Sequence, residues 1–167
     1  FLENTDLEIS SALCLEGMDL GRLSYSCLGM ARGEILVELV DSAEDVGRIV
    51  SGVMPILNRL ISELLEMNHR YHPSVQILMG TVEAVSGYNV PPAAGKICFE
   101  VRSGEADKVT VVEQEIISLV RKLDREFLDA SVAIEMIAHR KPGDLGESHS
   151  LVSVARESLR FLGVEPH

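Results

Sequence analysis

Two kinds of hydrophobic spacing alternate along the central part of the chain, and their order restricts the fold more than any other feature. Apolar residues recur at every second position in several short segments, which is typical of strands that bury one face. In two longer segments they recur three or four positions apart, which is typical of amphipathic helices. The predicted order is β-β-α-β-β-α-β for residues 20–138 and β-α-β-β-α-β from residue 33 onward.

The strand predictions depend on alternation. The predicted strands cover residues 7–16, 20–28, 34–40, 75–82, 96–102 and 131–138. The residues expected to face the core in the three clearest strands are Ile35, Val37 and Leu39; Ile97, Phe99 and Val101; and Val132, Ile134 and Met136. Polar side chains take the alternate positions, so each of these strands is expected to expose its other face.

The helix predictions depend on apolar stripes. The first stripe consists of Ile49, Val53, Leu57, Leu60 and Leu64, and the second of Val109, Val112, Ile116, Leu119, Val120, Leu123 and Phe127. Residues 42–45 have the spacing of a capping box. Because Gly52 and Pro55 interrupt the first stripe, that helix either kinks or begins near Met54. A third helix is predicted for residues 149–162 and ends at Gly163.

These elements predict an α+β fold with the ferredoxin-like (split βαβ) arrangement, an antiparallel sheet with two helices. Each helix has a single apolar stripe, so both are expected to cover the same face of the sheet. The other face stays open, and Glu38, Glu100 and Arg102 are predicted to point toward it.

Composition excludes several classes of function. The 167 residues include 15 Lys and Arg against 26 Asp and Glu, and this net charge of −11 argues against binding nucleic acid. No apolar run is long enough for a membrane span, and the first residues do not resemble a secretory signal. The chain begins without Met, so we expect it to be a processed product or a piece of a longer protein. Three unpatterned cysteines predict small core residues in a reducing, cytoplasmic setting.

The residues that could act in a functional site each allow two interpretations. Glu16 follows a short apolar strand, so it is either a ligand-binding carboxylate at a strand end or an ordinary turn acid. Arg102 either binds a carboxylate on the open face or forms an ion pair with Glu100 or Glu38. His69 and His72 are three residues apart, but the neighbouring Pro73 favours a solvated loop over a metal site.

A series of short motifs, in order, resembles the zinc-dependent superfamily of metallopeptidases that contains aminoacylase, acetylornithine deacetylase and carboxypeptidase G. The motifs lie at residues 12–17, 20–23, 29, 35–39, 80–82, 89–91, 94–102, 149–155 and 162–166. The resemblance implies a ferredoxin-like lid inserted into a two-zinc catalytic domain. Residues 19–139 would form this lid and dimerisation domain, and residues 1–18 and 140–167 would be flanks of the catalytic domain.

The resemblance also implies roles for three residues. Glu16 matches a terminal carboxylate ligand of one zinc ion. Asn89 and Arg102 match lid residues that face the substrate in relatives, a small peptide or an N-acyl amino acid. The full-length parent would then be a homodimer joined through its lids, with two zinc ions per active site and none held stably by this chain.

Two departures from the family bear on activity. Relatives have a His in the loop after the strand that ends here at Val40, whereas this sequence has Asp-Ser-Ala-Glu-Asp at residues 41–45. The remaining zinc ligands and the general base would lie outside residues 1–167, so the chain is expected to contain no catalytic residue and to be inactive by itself. The alternative function is a non-catalytic ferredoxin-like module that binds a small ligand or dimerises.

Overall fold

The computed structural model describes residues 11–15, 19–40 and 51–167. The elements in chain order are β1 (Ser26–Cys27), β2 (Gly29–Leu39), α1 (Met54–Tyr71), β3 (Val75–Glu83), β4 (Ala94–Ser103), α2 (Ala106–Glu126), β5 (Ala130–Arg140), β6 (Gly143–Asp144) and α3 (Ser150–Phe161). They divide into two compact units, one made of Phe1–Cys27 with Asp144–His167 and the other of Leu28–Gly143. The second unit is therefore inserted into the sequence of the first. It begins nine residues after the start of the predicted lid domain, residues 19–139, and ends four residues after its end.

The central unit contains a four-stranded antiparallel sheet with the order β3-β4-β2-β5. The β2-α1-β3 connection spans β4, and the β4-α2-β5 connection spans β2. This is the split βαβ topology, so the predicted α+β, ferredoxin-like fold is confirmed.

Both helices pack against the same face of that sheet, and the core lies between them. In β4 the alternate residues Ile97, Phe99 and Val101 are buried, as their spacing predicts. The buried stripe of α2 is Val109, Val112, Ile116, Leu119, Val120 and Leu123, and that of α1 is Ile56, Leu57, Leu60, Leu64 and Met67. The period of two in the strands and of about 3.6 in the helices thus produces two matching apolar surfaces.

The first helix begins at Met54, which decides between the two sequence alternatives. Pro55 occupies the first turn, where its missing N–H breaks no hydrogen bond. The helix then continues to Tyr71, so the prediction of a loop at residue 69 was wrong, and His69 lies in its last turn. The predicted capping box at residues 42–45 lies outside the described residues.

In the outer unit, the longest element is α3. Its first turn is capped by His149, whose Nδ1 accepts a hydrogen bond from the Leu151 N–H at 3.2 Å, as expected for a capping residue. Two backbone hydrogen bonds of 2.9 Å, Leu23 N–H to His167 O and His167 N–H to Gly21 O, join residues 21–23 to the end of the chain. Gly21 has a φ of 97°, a left-handed conformation that residues other than glycine rarely adopt.

Three expectations for this region need correction. Residues 11–15 form no regular strand. The other residues of the strand predicted over 7–16 lie outside the described residues. The predicted strand at residues 20–28 is reduced to Ser26–Cys27. The cysteines are also not core residues. Cys14 and Cys27 are exposed, and Cys98 is half-buried because it alternates in β4 with the buried Ile97 and Phe99.

Candidate functional site

The sheet face opposite α1 and α2, here called the helix-free face, carries most of the charged side chains of the strands. It is formed by Met30, Arg32, Glu34, Leu36 and Glu38 of β2; Lys96, Cys98, Glu100 and Arg102 of β4; Gln76, Leu78, Thr81 and Glu83 of β3; and Ser131, Ala133, Glu135 and Arg140 of β5. All of these are exposed or half-buried. The open face with Glu38, Glu100 and Arg102 is therefore where the sequence predicts it.

An ionic cluster occupies one end of the helix-free face. Arg32 and Glu100 are cross-strand partners, and the Arg32 Nε and Nη2 donate to Glu100 Oε2 at 2.8 Å and 2.5 Å. Arg102 Nε donates to the other oxygen, Oε1, of the same carboxylate. The ion pair with Glu100 that the sequence offered as one alternative for Arg102 is thus present, and the Arg102 side chain remains 45% exposed.

The position of Glu100 between two guanidinium groups keeps its carboxylate ionised. The hydrogen bond from Arg102 lowers the pKa of Glu100 below its ordinary value of 4.5, and Arg32 lowers it further. Partial burial acts in the opposite direction but is outweighed. The cluster therefore keeps its two positive charges and one negative charge at neutral pH.

A second group of polar side chains lies further along the same face. Glu34 accepts a weak hydrogen bond from the Cys98 thiol at 3.5 Å and lies 3.7 Å from the Lys96 ammonium group. Burial raises the pKa of Cys98, and the hydrogen bond to Glu34 raises it further. The thiol is therefore protonated at neutral pH, which makes it a poor nucleophile.

Asn89 and Arg102 lie at opposite ends of β4. Asn89 is exposed in the β3–β4 connection, which leads into Ala94, whereas Arg102 is next to the last residue of the strand. The eight residue steps from Ala94 to Arg102 span about 26 Å in an extended strand. The structure thus gives both residues access to solvent without bringing them into contact, and their substrate-binding roles stay predictions.

The predicted zinc ligand, Glu16, lies outside the described residues, so this role stays a prediction. Within the described ranges, no three His, Cys, Asp or Glu side chains are close enough to hold a metal ion. His69 and His72 are exposed in the last turn and at the C-terminal cap of α1. The donors in this part of the chain therefore do not fit a zinc site.

Arg32 is the member of the cluster that sequence reasoning missed. The predicted strand began at Glu34, whereas β2 begins at Gly29 and includes Arg32. Arg32 is in phase with Glu34 and Glu38, so extending the same alternation by one step would have placed it on the open face. Its pairing with Glu100 depends on the register of β2 against β4, which no local pattern fixes.

Three solved structures that share this fold are an amidase and two peptidases. An amidase of the hydantoinase/carbamoylase family from Burkholderia vietnamiensis matches 86% of this chain with a TM-score of 0.67 and 13% identity. An aminopeptidase from Bacillus cereus matches 91% with a TM-score of 0.57, and a dinuclear metal-binding peptidase of the M20 family from Bacillus subtilis matches 90% with a TM-score of 0.53, both at 14% identity. This chain shares their fold.

The likeness extends over most of this chain but only a part of each of these proteins. The matched region is 35%, 40% and 38% of the three chains, respectively. No protein-family model and no curated protein matches the sequence. At this identity the comparison establishes the fold alone, which the sequence predicted from its hydrophobic spacing. None of the helices in the described ranges has the length and apolar character needed to cross a bilayer.

Proposed function

We propose that this chain is the lid and dimerisation region of a zinc-dependent metallopeptidase or amidohydrolase. Its substrates would be small peptides or N-acyl amino acids, whose amide bonds the full-length protein hydrolyses in the cytoplasm. The observation that carries this proposal is the extent of the structural likeness, since amidases and peptidases match 86–91% of the chain.

The arrangement of the two units supports the lid assignment. The ferredoxin-like unit, Leu28–Gly143, interrupts a unit built from the segments before and after it. Such an insertion leaves both ends of the inserted unit connected to one other body. This connectivity is the one expected for a lid that is inserted into a catalytic domain.

The substrate contact is assigned to the helix-free face. Arg102 has an exposed guanidinium group there, and a planar guanidinium binds a carboxylate through two parallel hydrogen bonds. Asn89, in the exposed β3–β4 connection, would bind another oxygen of the substrate.

The metal and the partner are further parts of the proposal. Glu16 would supply one zinc ligand and the rest of the parent protein the others, because the described residues offer no complete set. The homodimer would form through the central unit, where β3 and β5 are the sheet edges with unpaired backbone groups.

The decisive experiment uses the full-length protein encoded by the complete reading frame. Hydrolysis of N-acyl amino acids is measured for the unmodified protein and for Arg102→Ala, with Arg59→Ala on the surface of α1 as the control. The Arg102 variant should raise KM about tenfold or more, because a hydrogen bond to a charged group contributes about 1.5–3 kcal/mol. The control should leave KM unchanged.

Two results would contradict the proposal. One is a full-length protein without the remaining zinc ligands and the general base of the family, which would favour the non-catalytic binding or dimerisation module. The other is zinc-dependent hydrolysis by the 167-residue chain alone, since the lid assignment places the catalytic groups elsewhere.

A further inference from the structure

The Arg32–Glu100–Arg102 cluster is only partly satisfied internally. Both oxygens of Glu100 are occupied, Oε1 by Arg102 and Oε2 by Arg32. Arg102 uses its Nε for this bond, and its two terminal nitrogens have no partner among the residues that the structure describes. The ion pair therefore holds the base of the Arg102 side chain while leaving its outer edge available to a ligand.

The cluster has a small net charge. Two guanidinium groups and one carboxylate give 2 − 1 = +1. The next cation on this face is Arg140, which lies opposite Met30 in β5 and is two strands, or about 10 Å, from Arg102. Its Nη2 donates to the Leu28 carbonyl at 3.2 Å, so part of its guanidinium group is already occupied.

Apolar side chains border the charged groups. Met30 is the cross-strand partner of Arg102, and Leu78 of β3 is the partner of Glu100. Directly opposite side chains in antiparallel strands have Cβ atoms about 5 Å apart. Leu78 is 42% exposed, so it offers apolar surface next to the guanidinium edge.

We propose that Arg32, Glu100 and Arg102 form a binding site for a single carboxylate that carries an apolar group, and that Glu100 sets its preference for monoanions over dianions. This inference rests on the proposed function, which assigns carboxylate binding to Arg102. It narrows the substrate class to N-acyl amino acids or peptides with an uncharged side chain beside the carboxylate.

The preference follows from the charges of the cluster. A monoanion neutralises the net charge of +1, whereas the second charge of a dianion meets the Glu100 carboxylate without a free cation to balance it. Glu100 stays ionised at neutral pH because both guanidinium groups lower its pKa. Replacing it with Gln keeps the size and one hydrogen-bond acceptor but raises the net charge of the cluster to 2 − 0 = +2.

The test measures binding to the 167-residue chain by NMR titration. The probes are N-acetyl-L-leucine as the monoanion, N-acetyl-L-glutamate as the dianion and N-acetyl-L-leucinamide as the neutral control. The unmodified chain should bind the monoanion and not the amide. In Glu100→Gln the affinity for the dianion relative to the monoanion should rise about fivefold, the factor for about 1 kcal/mol between unit charges about 4 Å apart in water. Because the ratio is compared between variants, differences in probe size cancel.

Two further variants separate the possible outcomes. Arg32→Gln lowers the net charge of the cluster to zero and should weaken the binding of both anions. Arg102→Ala should abolish the binding of both. An unchanged ratio in Glu100→Gln, with binding still lost in Arg102→Ala, would overturn charge selection and leave the proposed function intact. No binding by the unmodified chain would also overturn the inference, whereas KM in the full-length protein would still report on the proposed function. Binding that survives in Arg102→Ala would count against both.

Discussion

At the scale of single residues, Glu100 is central to the helix-free face. It is the only carboxylate among the described residues that bonds two arginines, Arg32 and Arg102, and it joins adjacent positions of β2 and β4. Its lowered pKa means that the folded state favours the ionised form more than the unfolded chain does. Protonation must therefore destabilise the fold.

This linkage predicts a pH dependence. The stabilisation from Glu100 is fully present above its unfolded pKa of 4.5 and is lost as the pH falls through the lower pKa of the folded state. Glu100→Gln should be less stable than the unmodified chain at neutral pH, and the difference should shrink on acidification below 4.5. Urea unfolding at several pH values measures this, with the exposed Glu38→Gln as the control. A difference that does not change with pH would contradict the prediction.

A second prediction at this scale concerns Gly33, where β2 meets the core. A Cβ at this position would lie 2.8 Å from Phe99 Cζ and 3.0 Å from the Glu135 carbonyl oxygen. Gly33→Ala should therefore lower the free energy of unfolding by about 1–3 kcal/mol, because neither neighbour moves freely. The matched control is Gly80→Ala in β3, where a Cβ would have no heavy atom within 4 Å. Equal effects of the two substitutions in denaturant unfolding would show that sterics do not determine the glycine at 33.

At the scale of elements, the helices were the most predictable part of the fold. The stripe of α2 is buried over its whole length as expected, because apolar residues at helical spacing leave one possible inward face. The start of α1 needed the structure, since Gly52 and Pro55 are compatible with either a kink or a late start. The strand predicted from weak alternation at residues 20–28 was too long, because this segment contributes little to a buried surface.

Neighbouring positions of α1 provide a direct test of that inward face. Leu64 is fully buried, whereas Leu65, the next residue, is 53% exposed. Leu64→Ala should lower the free energy of unfolding by about 2–5 kcal/mol, because it loses buried apolar surface and leaves a cavity. Leu65→Ala should change the free energy of unfolding by about 0.5 kcal/mol or less, as for most surface positions. Thermal or denaturant unfolding of both variants makes the comparison, and a larger loss at Leu65 would show that the helix faces the other way.

At the scale of the whole molecule, stability is concentrated in the central unit. Every residue of the main core cluster lies within Leu28–Gly143, and Val152 is the one buried apolar side chain in the described part of the outer unit. A domain that contains its own core is expected to fold without its flanks.

A fragment of residues 28–143 should therefore be folded and should unfold cooperatively. We expect its midpoint in urea to be close to that of the 167-residue chain, because the removed segments contribute little burial. Circular dichroism and urea unfolding of both chains test this, and the Leu64→Ala fragment serves as a destabilised reference. A fragment without a cooperative transition would show that the flanking segments are part of the same folding unit.

The sequence by itself determined the order of the four long strands and three helices, the inward faces of these elements, and the position of Glu100 and Arg102 on the open face. These features follow from local periodicity, which the order of residues records directly. Only the tertiary structure decided that Arg32 meets Glu100 and that Cys14 and Cys27 lie outside the core. Strand register and loop position depend on contacts between residues that are distant in sequence, 68 positions apart for Arg32 and Glu100, and no local pattern encodes them.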